Sequence, residues 1–264
     1  DVFAEAKGNN IINVADAVTL DADSHSEIDA VAISVAGVVA DDGFGFAAAG
    51  SGSGNTITNN VRAVIGTGST VTAGGALTLS AADDSNITAD AGGVALAIAS
   101  GDSAGAIGAS IAINIVNIGA RAAVESSTAT AGSVDITADG SPVIDALTIA
   151  GAVSGSDDSV AFGGAGAGSG NDITSTIEAL IVDSMVTTTT GDLSLAATDG
   201  SDITAESGAG ALGVAVGGGP TRVGGGGGGV CGGGKLREVD LELPPRNGGQ
   251  LDHRLGLCVP PREV

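Results

Sequence analysis

A long internal repeat constrains this chain more than any other feature of its sequence. One phrase occurs four times: VTLDADSHSEIDA from Val18, LTLSAADDSNITA from Leu77, VDITADGSPVIDA from Val134 and LSLAATDGSDITA from Leu193. Two positions of the phrase recur at a nearly constant interval; they are Leu20, Leu79, Ile136 and Leu195, and Ile28, Ile87, Ile144 and Ile203. A fixed period of about 58 residues indicates a repeat array.

A second marker keeps the same period. Asn55, Asn114 and Asn171 are each followed eight residues later by an alanine. We expect these asparagines to form a structural set whose side-chain amides cap the backbone of turns. The two markers together predict about three and a half stacked units in residues 1–217, with repeat starts near 18, 77, 134 and 193.

Within each repeat the chain has the pattern of β-strands. Leu77, Leu79 and Ala81 alternate with small or polar residues, as expected of a strand with one buried face. The cluster DDSN from Asp83 separates two such runs, and its side chains favour a turn. The more apolar stretch GAIGASIAINIVNIGA from Gly105 also predicts a strand, because its glycines and β-branched residues disfavour a helix.

The composition favours a thin all-β core. The chain has 46 glycines, no Trp and no Tyr, while 43% of its residues are hydrophobic. Such a core is filled with Ala, Val, Ile and Leu between closely spaced layers. We therefore predict a parallel β-solenoid, of either hand, with two or three coils per repeat. At about 20 residues per coil, the body would be a rod of roughly eleven coils and about 50 Å.

The repeat pattern stops near Gly217. Residues 218–264 contain both cysteines, Cys231 and Cys258, and five of the six prolines. This composition predicts a low-complexity tail that is disordered or foreign to the fold. No apolar run free of Gly, Ser and Asn is long enough to cross a bilayer, so no membrane span is predicted. The chain opens at Asp1 inside an unfinished repeat, which indicates a fragment of something longer.

The charge of the chain limits its partners. The formal net charge is −22, and residues 1–217 contain only three basic side chains, Lys7, Arg62 and Arg121. An acidic body of this kind repels nucleic acids and anionic membrane surfaces. The same residues contain no cysteine, which fits a secreted bacterial protein. We expect neither a nucleic-acid partner nor a membrane span.

Paired aspartates at predicted turns are the candidate metal ligands. Asp83, Asp84, Asp157 and Asp158 offer carboxylate oxygens, which calcium prefers. The glycine-rich calcium nonapeptide GGxGxDxUx is absent, since GGGGGGV lacks its aspartate. We expect solvated turn carboxylates without metal or other cofactor, and calcium binding remains the alternative.

No catalytic residue is predicted. His25 lies in a predicted turn, and the matching turns of the other repeats have no histidine. Arg62, Arg121 and Glu178 share one repeat position. With two or three coils per repeat, neighbouring members would be about 10–14 Å apart, too far for an ion pair. They are interpreted as surface residues.

Threonine ranks provide a further hypothesis, an ice-binding surface. Thr70 and Thr72 coincide with Thr128 and Thr130, whereas the third copy has Met185 and Thr187. The incomplete third rank makes this a minor alternative.

Three segments resemble repeats of very large bacterial surface proteins, the leukotoxin-type filamentous adhesins and the filamentous-haemagglutinin-like proteins. They are GSGNTITNNVRAVIGTGSTVTAGGALTLSAADDSNITADAGGVALA, GAIGASIAIN and GAGAGSGNDITSTIEALIVDS. The resemblance covers roughly residues 8–216 and contains no catalytic motif. It implies a non-enzymatic, secreted or surface-exposed stalk whose partners are flanking repeats of the same longer chain and host-cell or surface ligands. The alternatives are a polysaccharide-acting enzyme or toxin module on a β-helix scaffold, and a calcium-binding surface-layer-type repeat.

Overall fold

The structure, a computed structural model, describes residues 1–101, 103–157, 160–216, 222–223, 235–240 and 254–259. These residues form β-strands and no helix, so the prediction of an all-β chain is confirmed. In chain order the strands are β1 (Val2–Ala6), β2 (Ile11–Val14), β3 (Val18–Ser24), β4 (Glu27–Ala40), β5 (Gly45–Gly66), β6 (Thr70–Ala73), β7 (Ala76–Asp83), β8 (Asn86–Ala99), β9 (Ala104–Glu125), β10 (Thr128–Ala131), β11 (Ser133–Gly140), β12 (Val143–Ser156), β13 (Ala161–Val182), β14 (Met185–Thr188), β15 (Leu193–Asp199), β16 (Asp202–Ala215), β17 (Arg222–Val223), β18 (Lys235–Asp240) and β19 (Arg254–Val259).

Four strands in succession make one coil of a parallel solenoid. Coil 1 is β2–β5, coil 2 is β6–β9, coil 3 is β10–β13, and β14–β16 form the first three strands of coil 4. Equivalent strands pair in parallel and build four sheets. We call them the short sheet (β2, β6, β10, β14), the middle sheet (β3, β7, β11, β15), the broad sheet (β4, β8, β12, β16) and the long sheet (β1, β5, β9, β13).

Each sequence repeat forms one coil, so the prediction of two or three coils per repeat is wrong. Leu20 pairs with Leu79, Leu79 with Ile136, and Ile136 with Leu195, in direct register. Neighbouring strands lie about 4.8 Å apart, so four stacked strands span only about 14 Å. The predicted long rod of eleven coils is therefore wrong as well. The alternating pattern defines strands but not their partners, and a coil with four strands shows the same pattern as two or three smaller coils.

The core narrows from one end of the coil to the other. At the wide end, the second half of the long sheet packs on the middle and short sheets through Val61, Ile65, Leu77, Leu79 and other side chains of that size. At the narrow end, the first half of the long sheet meets the broad sheet through alanines, which are Ala47, Ala49, Ala95, Ala97, Ala99, Ala104, Ala106, Ala150, Ala152, Ala165, Ala167 and Ala211. Alanine is the side chain that fits between layers this close, as the aromatic-poor composition predicts.

One corner of every coil uses a left-handed residue. Asn9, Thr67, Ser126 and Asp183 have φ angles of 60°, 44°, 46° and 48° and lie where a long-sheet strand ends. A hydroxyl holds three of these turns: Ser69 donates to the Gly66 carbonyl, and Ser127 and Ser184 make the matching bonds to Glu125 and Val182. The corner after β5 has the additional Gly68, so loops absorb the changes in repeat length while the strands stay in register.

Carboxylates never face carboxylates across the paired strands that the structure describes. Asp29 pairs with Thr88, which pairs with Asp145, which pairs with Thr204. Elsewhere Asp83 and Asp199 each pair with Gly140. Directly opposed like charges destabilise a sheet. The divergence among the repeats thus allows an acidic chain to stack equivalent strands.

The tail contributes three short strands. β17 pairs antiparallel with β16, and β18 pairs antiparallel with β19, in which Cys258 lies. The remainder of the predicted tail, including Cys231, lies outside the described residues. A membrane-spanning helix is absent from the part of the chain that the structure describes.

The narrow end of the core provides a stability prediction. A Cβ added at Gly108 would lie 2.2 Å from the Gly151 carbonyl oxygen, whereas one added at Gly50 would meet nothing within 4 Å. Gly108→Ala therefore forces the two sheets apart, and we expect the free energy of unfolding to fall by about 1–3 kcal/mol. Urea unfolding followed by circular dichroism measures the change. Gly50→Ala is the control and should leave stability unchanged or slightly raised; equal losses in both variants would contradict the close sheet contact.

Candidate functional site

The three predicted asparagines form an internal ladder. Asn55 donates from Nδ2 to Oδ1 of Asn114 over 2.8 Å, and Asn114 donates to Oδ1 of Asn171 over 2.8 Å. Asn114, the central member, is fully buried. All three lie within the long strands β5, β9 and β13. The prediction that their amides cap turns is therefore wrong. The register of the long sheet brings the amides together, because Asn55, Asn114 and Asn171 are direct neighbours on adjacent strands.

A second internal polar cluster was not predicted. Asn59 lies in the long sheet, and its Nδ2 is within hydrogen-bonding distance of oxygens of Asp83 (2.8 Å), Ser85 (2.9 Å), Ser26 (3.0 Å) and Ser24 (3.1 Å) at the turns between the middle and broad sheets. Its two N–H bonds serve two of these acceptors at a time. Asp83 also accepts from the Ser85 hydroxyl over 2.6 Å. The carboxylate is buried, and these donors compensate for its lost hydration.

In the other coils, the position equivalent to Asn59 and the position that faces it have changed together. In coil 2 the long-sheet residue is Ile118. A Cβ added at Gly140 would lie 3.0 Å from Ile118 Cδ1 and closer still to Ile177 Cδ1, so isoleucines of two coils fill this space. In coil 3 Ser175 donates to Asp199, and hydrogen bonds from Ser175 and Ser201 lower the pKa of the Asp199 carboxyl. A polar residue thus faces an aspartate, and an apolar residue faces a glycine. The sequence contains one signal of this contact: the long-sheet residue and the residue that faces it are separated by a nearly constant number of positions in all three coils.

The calcium candidates do not form one site. Asp83 is engaged inside the core, whereas Asp84 is exposed and lies 2.9 Å from Nδ1 of His25. Asp157 follows the end of β12 and is exposed, and Asp158 lies outside the described residues. Among the described residues, no three His, Cys, Asp or Glu side chains are grouped as metal ligands.

Basic residues of the body gather on the outer face of the long sheet. Arg121 pairs in register with Arg62 and Glu178, and its guanidinium forms ion pairs with Glu178 and, over 2.6 Å, with Glu125. The prediction that Arg121 and Glu178 are too far apart for an ion pair is wrong, because one repeat is one coil. Lys7 pairs with Glu5 over 2.6 Å. These pairs balance charges locally.

The threonine ranks align on the short sheet. Thr72, Thr130 and Thr187 are neighbours in register, and Thr70 pairs with Thr128. Met185 continues the second rank, as predicted from the sequence. The surface is only two residues wide on each strand, since the strands of this sheet have four residues.

Apolar side chains are exposed at one end of the stack. Leu193, Leu195 and Ile203 of coil 4 are 46%, 43% and 44% exposed. Their equivalents in coils 2 and 3 are 0–1% exposed; they are Leu77, Leu79, Ile87, Val134, Ile136 and Ile144. The difference arises because no described long-sheet strand covers coil 4 as β9 and β13 cover the coils before it.

Comparisons with protein-family models, with curated proteins and with solved structures found no match to this chain.

The asparagine ladder provides a second stability prediction. Asn114→Leu leaves the Asn55 amide without its acceptor and the Asn171 oxygen without its donor, and each buried unpaired group costs about 1–3 kcal/mol. Two such groups are affected, but Asn55 and Asn171 are only half-buried, so we expect the free energy of unfolding in urea to fall by about 2–4 kcal/mol in total, the lower part of the summed range. Asn171→Leu, at the end of the ladder, should cost less. Full retention of stability by Asn114→Leu would show that the ladder contributes nothing.

His25 provides a pH prediction. The hydrogen bond and the charge of Asp84 raise the pKa of the His25 imidazole above 6.5. Because the pKa is raised in the folded state, the contact stabilises the fold below about pH 6.5, and this contribution disappears as the pH rises through the folded-state value. An NMR titration of the His25 ring should give a raised pKa that returns toward 6.5 in Asp84→Asn. An unchanged titration in that variant would contradict the contact.

Proposed function

We propose that this chain is a non-enzymatic structural and adhesive segment of a large bacterial adhesin, outside the cell, in which its coils stack on flanking coils of the same longer chain. The observation that carries the proposal is the exposed core of coil 4. Leu193, Leu195 and Ile203 occupy positions that a further long-sheet strand would bury. Full burial of an exposed Leu or Ile contributes about 1.5–3 kcal/mol, and covering the exposed part of each of these side chains would contribute roughly half of that.

The surface chemistry supports the same proposal. A strongly acidic body in which carboxylates avoid one another is well suited to staying dispersed in an aqueous exterior. The described residues with perturbed pKa values are an exposed His25, a paired Arg121 and an Asp199 held by serines, and they do not share a cleft. A catalytic site requires such groups to converge on one reacting atom.

The one-coil repeat changes the mechanism proposed for the adhesin. A coil of about 58 residues adds only about 4.8 Å of length. The segment is therefore suited to presenting broad, stiff faces to a host-cell or surface ligand, and it extends a stalk very little.

Cell-surface labelling tests this proposal. Antibodies raised against residues 1–216 should label intact cells of the source organism, and added protease should remove the label. Deletion of residues 126–182, which removes one coil in register, should preserve export but reduce adhesion of the cells. Labelling that appears only after permeabilisation would overturn the proposal, and so would release of sugar from polysaccharides by the purified chain.

A further inference from the structure

The outer face of the long sheet has an unusual size pattern. Along the first half of β9 the outward residues are Gly105, Ile107, Ala109, Ile111 and Ile113, and Ile107, Ile111 and Ile113 are 43%, 58% and 52% exposed. Their neighbours in register on β13 are Phe162, Gly164, Gly166, Gly168 and Gly170. At the positions of these three isoleucines β13 has a glycine, and the pattern ends at the next pair, where Ile115 of β9 lies beside Asp172 of β13. At the first position the Phe162 ring already covers Gly105 of the same chain.

The fold does not require glycine at two of these positions, Gly164 and Gly170. A Cβ at Gly170 would meet nothing within 4 Å, and one at Gly164 would touch only Ile107 Cγ1 at 4.0 Å. Glycine within a strand costs about 0.5–1 kcal/mol relative to alanine. Glycine retained in a strand without an internal reason often marks a place where another chain approaches closely.

We propose that this face binds a second copy of the chain in a symmetric dimer. Its two-fold axis runs along the strands, midway between β9 and β13, so that β9 of one copy lies over β13 of its partner. The three isoleucines of β9 then fit above the glycines of the second copy's β13. A two-fold interface requires such self-complementarity, because each contact occurs twice.

The absence of charge agrees with this occupant, and the area of the face determines how strong the dimer is. The ten positions on β9 and β13 contain no charged residue, although the chain carries a net charge of −22. Five outward positions on two strands cover roughly 30 Å by 10 Å on each copy. This area is below that of stable complexes, so the dimer is weak and reversible. Salt screens the repulsion between two acidic copies and therefore strengthens the dimer.

Sedimentation analysis of the full chain at increasing concentration and at two salt concentrations tests the dimer. The mass should rise from 24.8 kDa toward twice that value and no further, with a higher dimer fraction in high salt. A chain that stays monomeric up to millimolar concentration would overturn the proposal. Continued growth beyond a dimer would also overturn it, because it indicates end-to-end stacking of coils.

Three glycine-to-valine variants locate the interface. Gly170→Val fills the space for Ile113 of the second copy and should weaken the dimer at least tenfold, without lowering the melting temperature, since open space surrounds it. Gly37→Val on the broad sheet and Gly54→Val on β5 have equally open surroundings and should leave the dimer intact. Loss of the dimer in either control, or its persistence in Gly170→Val, would overturn the assignment. Ile111→Ser, which removes a side chain from the face, should also weaken the dimer.

Discussion

Parallel pairing of each strand with its equivalent one repeat later determines most other properties of this protein. Backbone hydrogen bonds between coils fix every side chain above its counterpart at about 4.8 Å. A residue type suited to stacking on itself can recur, as Asn55, Asn114 and Asn171 do. Carboxylates do not stack on one another, and they alternate with uncharged residues, most often Thr, Ser, Ala or Gly, along the coils. Arg62 does stack on Arg121, where the carboxylates of Glu5, Glu125 and Glu178 lie beside the two guanidinium groups. The sequence differences between repeats are therefore as necessary to the fold as the similarities.

The coil is wide because it contains four strands, and it is thin because alanine and glycine fill its narrow end. Its faces are consequently large relative to its length. A chain with this geometry places many side chains on flat outer surfaces, and the exposed isoleucines of β9 are one result. Function in such a molecule depends on what its faces contact.

The period and the alternating pattern were sufficient to predict parallel strands, their approximate positions and an aromatic-poor core. The period and the pattern could not predict how many strands make one coil. Leu79 pairs with Leu20 and Ile136 only because the chain returns to its starting position after four strands. The ion pair of Arg121 with Glu178 was missed for the same reason. The asparagines were recognised as a set, but their bonding depended on the register. The buried contact of Asn59 with Asp83 joins residues in different sheets, and only the recurring spacing of the two positions indicates it.

The matched residues at this internal contact also restrict how the repeats can recombine in the gene. Asn59 with Asp83, Ile118 with Gly140 and Ser175 with Asp199 are three separate solutions to one packing problem. A crossover between repeats that falls between the two members would combine Ile118 with a buried aspartate, or Asn59 with a glycine that offers it no acceptor. A crossover elsewhere in the coil transfers each pair intact. When such an array gains or loses repeats, we therefore expect the surviving breakpoints to lie outside the segments that join the two members of each pair. The unit that is duplicated or deleted in evolution then begins and ends at different residues from the repeat seen in the sequence.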